Sequence, residues 1–166
     1  MPYISAMKKI LILTLVVVPL LAMTSKPDPT VALNTLVDDW HVAAAQGNFD
    51  GYFGVTTEDF VFLGTAPEER WTQEEFMAFC KPYFDRGKAW DFKPSNRIWA
   101  FSKDGKTGWF DEDLDTWMRG CRGTGIVRKI KGEWKIVYYN LHVLIENEKI
   151  DAFIELRDEP IEEEEK

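Results

Sequence analysis

The sequence predicts a single α+β domain in which helices come first and lie on one face of a curved antiparallel sheet. Three observations carry this. Apolar residues recur at helical spacing in two segments before Gly87. After Gly87 the period changes to alternation, the signature of strands with one buried face. Lys103-Asp104-Gly105-Lys106 and Lys131-Gly132-Glu133 then punctuate the alternating half as hairpin turns.

Asp28-Pro29-Thr30 opens the first helix, with Asp28 as N-cap and Pro29 in the first turn. Leu33, Leu36, Val37, Trp40, His41 and Ala44 share one face of it, and Gly47-Asn48 ends it. Residues 49–53 form a short second helix and residues 60–63 a short strand. Thr72-Gln73-Glu74-Glu75 is a capping box opening a third helix that turns Phe76, Phe79, Cys80, Tyr83 and Phe84 inward. Strands are expected over 89–93, 97–102, 107–118, 125–131 and 134–144, and a last short helix over 149–156.

The chain has 166 residues, 45% of them hydrophobic and 14% aromatic, which fits one folded domain and excludes a disordered composition. Lys8-Lys9 ahead of the apolar run from Ile10 to Ala22 reads as a signal peptide over residues 1–25, cleaved between Ala22 and Ser25. The run is shorter than the roughly 20 residues a span needs. Met7 provides a second start for that leader. The domain then covers 26–156 and an acidic tail 157–166. The expected location is periplasmic or extracellular, with no membrane contact after processing. The net charge is −8, and removing the two leader lysines leaves −10 on the rest. Such a surface repels phosphate backbones, so nucleic acid is not an expected partner. Cys80 and Cys121 follow no metal-ligand spacing and are read as unpaired thiols.

Several segments together resemble a known family. They are 36–41 with Ala43-Ala44-Ala45, then Val61 to Thr65, Glu69 to Thr72, Trp109 to Glu112, Cys121 to Gly125, Trp134 to Ile136 and Tyr139 to Leu141. Their pattern over residues 31–154 resembles SnoaL-like domains of the nuclear-transport-factor-2-like (NTF2-like) and ketosteroid-isomerase-like superfamily. The resemblance implies a cone, a bent antiparallel sheet wrapped around about three helices with a pocket at its open end. It also implies a homodimer. Related folds host isomerases, cyclases and dehydratases as well as binding modules without turnover, so the resemblance implies fold and pocket but no mechanism.

The strand over 107–118 is the informative one. Phe110, Glu112, Leu114, Thr116 and Met118 form its more apolar face, which sets Glu112 among apolar neighbours. Two readings follow. Glu112 is a desolvated acid or base, or it is a structural partner of Arg122 or Arg97, with Arg122 favoured because the chain reverses near Gly120. A one-residue bulge would hand the same place to Asp111. His41 either lines the pocket as a proton carrier or lies half exposed. Tyr138, Asn140 and His142 share a parity. They either supply polar groups to the pocket or face another subunit. Trp40 and Trp71 either stack on a flat ligand or fill the core. Arg122 is also a candidate ligand contact. Arg70, beside Glu69, either binds a carboxylate or braces the turn.

No nucleotide loop, nucleophile elbow or His-Glu-x-x-His occurs, so no cofactor or metal is expected, and catalysis would be cofactor-free acid–base work. The expectation is an exported domain that binds a small apolar or aromatic molecule. The alternatives are a cofactor-free isomerase, cyclase or dehydratase using Glu112 and His41, and a self-associating interaction domain built on outward aromatics such as Trp109 and Trp117.

Overall fold

A computed structural model describes residues 28–159. The leader reading and the last part of the acidic tail lie outside those residues. In chain order the elements are α1 (Thr30–Ala45), α2 (Phe49–Phe53), β1 (Thr56–Leu63), β2 (Arg70–Thr72), α3 (Gln73–Phe84), β3 (Lys93–Phe101), β4 (Thr107–Thr116), β5 (Arg119–Ile130), β6 (Glu133–Val143), a turn of 3₁₀ helix (Asn147–Lys149) and α4 (Ile150–Asp158).

The strands make one six-stranded sheet in the order β2-β1-β6-β5-β4-β3. All neighbours are antiparallel except β1 and β6, which run parallel. That pairing closes over the long connection through β2, α3 and β3–β5, and it adds β1 to a meander that otherwise follows the chain. The helices α1, α2 and α3 cover the inner face. Their apolar stripes meet Phe60, Phe62, Phe110, Leu114, Val127, Ile136, Tyr139 and Leu141 from the strands.

Local chemistry sets the boundaries. Asp28 Oδ1 accepts the Thr30 amide at 2.9 Å, so it caps the entry to α1 from one residue outside. The Thr72–Glu75 capping box forms as read, with the Thr72 amide donating to Glu75 Oε2 at 2.8 Å. Phe79 and Tyr83 depart from the inward expectation. Each is more than a third exposed.

Two bulges decide which side chains point inward. Between β3 and β4 the register runs Ser95↔Asp113 and then Ile98↔Asp111, so Asn96 and Arg97 together oppose Glu112. Asn96 takes a positive φ of 51°, a conformation that asparagine tolerates better than most residues. Between β5 and β6 the register runs Ile126↔Tyr138 and then Val127↔Ile136, which leaves Val137 as the extra residue. Ile136 and Tyr139 therefore both face inward, although they are three apart.

The strand expected to begin at Gly125 begins at Arg119 instead. Gly123 and Gly125 lie within it because facing side chains need their space. A Cβ on Gly125 would overlap the ring of Phe110, and one on Gly123 would overlap the hydroxyl of Tyr139. The expected strand over 89–93 is an open segment, and β3 takes its place from Lys93 onward.

Candidate functional site

At the centre of the fold is a carboxylate. Glu112 has no solvent exposure and lies on β4 between Phe110 and Leu114, on the face its parity indicated. Its Oε1 accepts from His41 Nε2 at 2.8 Å and from the Tyr139 hydroxyl at 2.8 Å. Its Oε2 accepts from Arg97 Nε at 2.8 Å, with Arg97 Nη2 at 2.7 Å. The guanidinium continues outward. Nη2 reaches Asp38 Oδ1 at 2.8 Å, and Nη1 reaches the Asn34 carbonyl at 3.2 Å. Trp99 Nε1 donates to Asn34 Oδ1 at 2.8 Å, which orients that amide. Asn34, Asp38 and His41 lie one helical turn or so apart on α1, so a single helix face meets the ion pair.

Burial pushes the Glu112 carboxyl toward its neutral form. The hydrogen bond and charge of His41, the charge of Arg97 and the Tyr139 hydroxyl outweigh that push, and the carboxyl is held below the usual glutamate range. Tyr139 moves the other way: burial first, then the adjacent Glu112 charge, keeps its phenol protonated well above the ordinary value. Glu112 is therefore an ionised acceptor, and Tyr139 and the His41 Nε2 are donors to it.

Several placements differ from expectation. Arg122 does not reach Glu112; it pairs with Asp113 at 3.1 Å on the outer face, because Gly123 rather than Arg122 stands opposite Glu112 in the ladder. Arg97 makes the contact instead, turned inward by the β3 bulge. Tyr138, Asn140 and His142 lie on the outer face, since the extra residue Val137 inverts the parity that groups them with Ile136; Tyr139 and Leu141 take the inner positions. Trp40 is 2% exposed and stacks on Tyr52 at 4.6 Å as core. Asp111 faces outward and is exposed, as the parity that buries Glu112 requires, and the bulge alternative that would have put it in the pocket does not occur. Tyr139 and Gly123 are site residues with no place among the sequence candidates, whereas Arg97 is the less favoured of the two partners expected for Glu112. Glu69 does brace its turn, but through the backbone: its Oε2 accepts the Thr65 and Ala66 amides at 2.7 and 3.1 Å.

Glu112 lines neither of two hollows near this centre, and Asn34, Asp38 and Arg97 line a third of about 220 Å³. At the open end, a recess of about 160 Å³ is walled mainly by aromatic side chains, among them Phe62, Trp71, Phe79, Phe92 and Trp117, with Thr65 and Glu69 at its edge. Trp71 thus lines a hollow, as one of its two readings required. A cleft of about 390 Å³ lies between α1 and residues 91–94, and His41 is part of its lining. Cys80 and Cys121 are buried free thiols, and burial raises the Cys80 thiol well above its usual range. Among the described residues no cluster of side chains has the arrangement of a metal site.

Removing the Glu112 charge leaves Arg97 buried without its partner, so Glu112→Gln should lower stability by about 3 kcal/mol or more. A carboxyl held low in the fold stabilises it fully above the unfolded value of about 4.3. That contribution is lost as pH falls through the lower folded value. The gap between wild type and Glu112→Gln, read by urea unfolding, should therefore be widest near neutrality and close in acid. Gly123→Ala should also destabilise, by displacing the Tyr139 hydroxyl. Equal stability of Glu112→Gln and wild type at neutral pH would contradict the assignment.

The model of the SnoaL-like domain matches residues 33–146, most of the chain. Solved structures share the fold at low identity. A cystatin-like-fold domain from Nostoc punctiforme superposes with TM-score 0.64 at 13% identity, covering 83% of this chain and 91% of its own. An NTF2-like protein from Cytophaga hutchinsonii gives 0.60 at 16%, covering 70% and 99%. An NTF2-like protein from Pseudomonas putida gives 0.59 at 12%, covering 72% and 89%. No curated protein matches the chain. These likenesses speak to fold alone, and with the family match they establish that the chain belongs to the SnoaL-like domain family within the NTF2-like fold.

Proposed function

We propose that the chain is a small-molecule-binding domain whose ligand inserts one apolar or aromatic ring into the recess at the open end. The observation that carries this is the recess itself. Its volume of about 160 Å³ is close to the roughly 150 Å³ of an apolar cavity that holds benzene. Trp71 and Phe79 stack at 4.6 Å on one side, and Phe76 lies 5.4 Å from Trp71, so parallel ring faces are already formed. Trp117 lines the recess although it is 82% exposed, an arrangement that costs free energy in the absence of a ligand to cover. Thr65 and Glu69 set a polar edge that would orient a ligand bearing one hydroxyl or amine.

The buried carboxylate does not favour turnover in this recess. Glu112 is ionised, both its oxygens are occupied by donors, and it does not line the hollow.

A second reading, self-association, has its own support. On the outer face, Ala100, Trp109, Ile126, Tyr138 and Val61 stand directly opposite one another across five strands and form an apolar row. Trp109 is 47% exposed there. Polar partners flank the row, Asp111 and Thr124 among them, the pattern of a patch with a polar rim.

Tryptophan fluorescence titrated with phenol and indole should saturate, and Trp117→Ala should weaken that binding about tenfold or more without changing the unfolding midpoint. Failure of either ring compound to saturate, or equal affinity in the variant, would contradict the recess reading. Sedimentation equilibrium should show a dimer that Trp109→Glu converts to monomer; a wild-type monomer at high concentration would contradict self-association.

A further inference from the structure

We infer that the ligand of the aromatic recess is an organic cation, a small molecule whose ring carries an ammonium group. The inference rests on the recess reading above and adds to it the charge of the ligand.

The recess presents ring faces that the protein itself leaves without a cation. Trp71, Trp90 and Trp117 all line it. Tryptophan is the side chain whose ring face attracts a cation most strongly, at up to about 6 Å from the ring centre. Elsewhere among the described residues such faces are covered from within. Lys81 lies over Phe49, Arg86 over Tyr83, Arg97 over Phe110, Lys129 over Trp134 and Arg157 over Phe153, at 4.8 to 5.8 Å. None of these contacts uses a ring of the recess, and no lysine, arginine or histidine lines it.

One charged side chain does line it, that of Glu69. The backbone holds this carboxylate in place. Its Oε2 accepts the Thr65 and Ala66 amides at 2.7 and 3.1 Å, and the Gly64 amide donates to the Glu69 carbonyl at 2.8 Å. A Cβ at residue 64 would stand 2.1 Å from Oε2, so the glycine leaves the space that the carboxylate occupies. The other oxygen, Oε1, has no hydrogen-bond partner among the described residues. A ligand seated against that edge takes water from Oε1 and must replace it. A neutral hydroxyl returns one ordinary hydrogen bond. An ammonium returns a charge-assisted one, roughly twice as strong, and places its charge beside the tryptophan faces as well. An anion meets like charge at the edge, and the net charge of −8 opposes its approach. A fixed carboxylate at the rim of a tryptophan-lined hollow thus selects for a cation and against an anion.

Benzylamine, benzyl alcohol and benzoate carry one ring and three different charges at neutral pH, so they separate charge from ring burial. In calorimetric titration of the full chain, benzylamine should bind about tenfold or more tighter than benzyl alcohol, and benzoate should bind weakest. Glu69→Gln keeps an oxygen for the Thr65 and Ala66 amides but removes the charge, and should bring benzylamine and benzyl alcohol closer together while leaving benzyl alcohol binding unchanged. Equal affinity of the wild type for benzylamine and benzyl alcohol would overturn the inference and leave the recess reading standing, whereas no binding of any of the three would overturn both. An undiminished preference for benzylamine in Glu69→Gln would overturn the role given to Glu69. The comparison in the wild type stands without the variant.

Discussion

A carboxylate without solvent exposure must be given donors from within the fold or lose its charge, and meeting that demand at Glu112 organises much of this molecule. Four groups converge on it or its partner: His41 and Asp38 from α1, Arg97 from β3 and Tyr139 from β6. The contact ties the first helix to three strands at one point. It also explains features that otherwise look like irregularities. The β3 bulge delivers Arg97 to the inner face, the β6 bulge delivers Tyr139, and the glycine at position 123 leaves room for the Tyr139 ring.

Around this polar centre the interior is filled with aromatic rings. A run of near-parallel rings passes from Phe79 through Trp71 and Phe76 to Phe62, with centroid separations of 4.6, 5.4 and 4.0 Å, and Tyr139 follows at 5.9 Å. Its inner end is anchored by the Tyr139 hydroxyl on Glu112. Its outer end is the wall of the recess. The polar hub and the apolar hollow are thus joined through one packed row of rings.

What the sequence revealed followed from simple periodicity. Alternation along 107–118 placed Glu112 among apolar neighbours, and the 3.6-residue period placed His41 on the inner side of α1; the structure has both there. What it did not reveal lay behind the bulges. Extending one parity from Ile136 selects Tyr138, Asn140 and His142, and a single extra residue at Val137 moves the inner positions to Tyr139 and Leu141. Arg122 is near Glu112 in sequence, but ladder register sets Gly123 opposite it, and a residue 15 positions upstream makes the contact. The parallel partnership of β1 with β6 is a long-range pairing for which local pattern carries no signal. Gly123 lies outside the strands expected from the pattern and Gly125 at the start of one, whereas both lie within β5 and each gives way to a particular ring packed against it.

The account rests on Glu112 being charged in the folded protein. Carbon-13 NMR of the side-chain carboxyl, with Glu112 assigned through its absence in Glu112→Gln, reports that charge directly. The account predicts a carboxylate shift at neutral pH that persists on acidification past the ordinary glutamate value of about 4.3. A shift characteristic of a protonated carboxylic acid at neutral pH would contradict it.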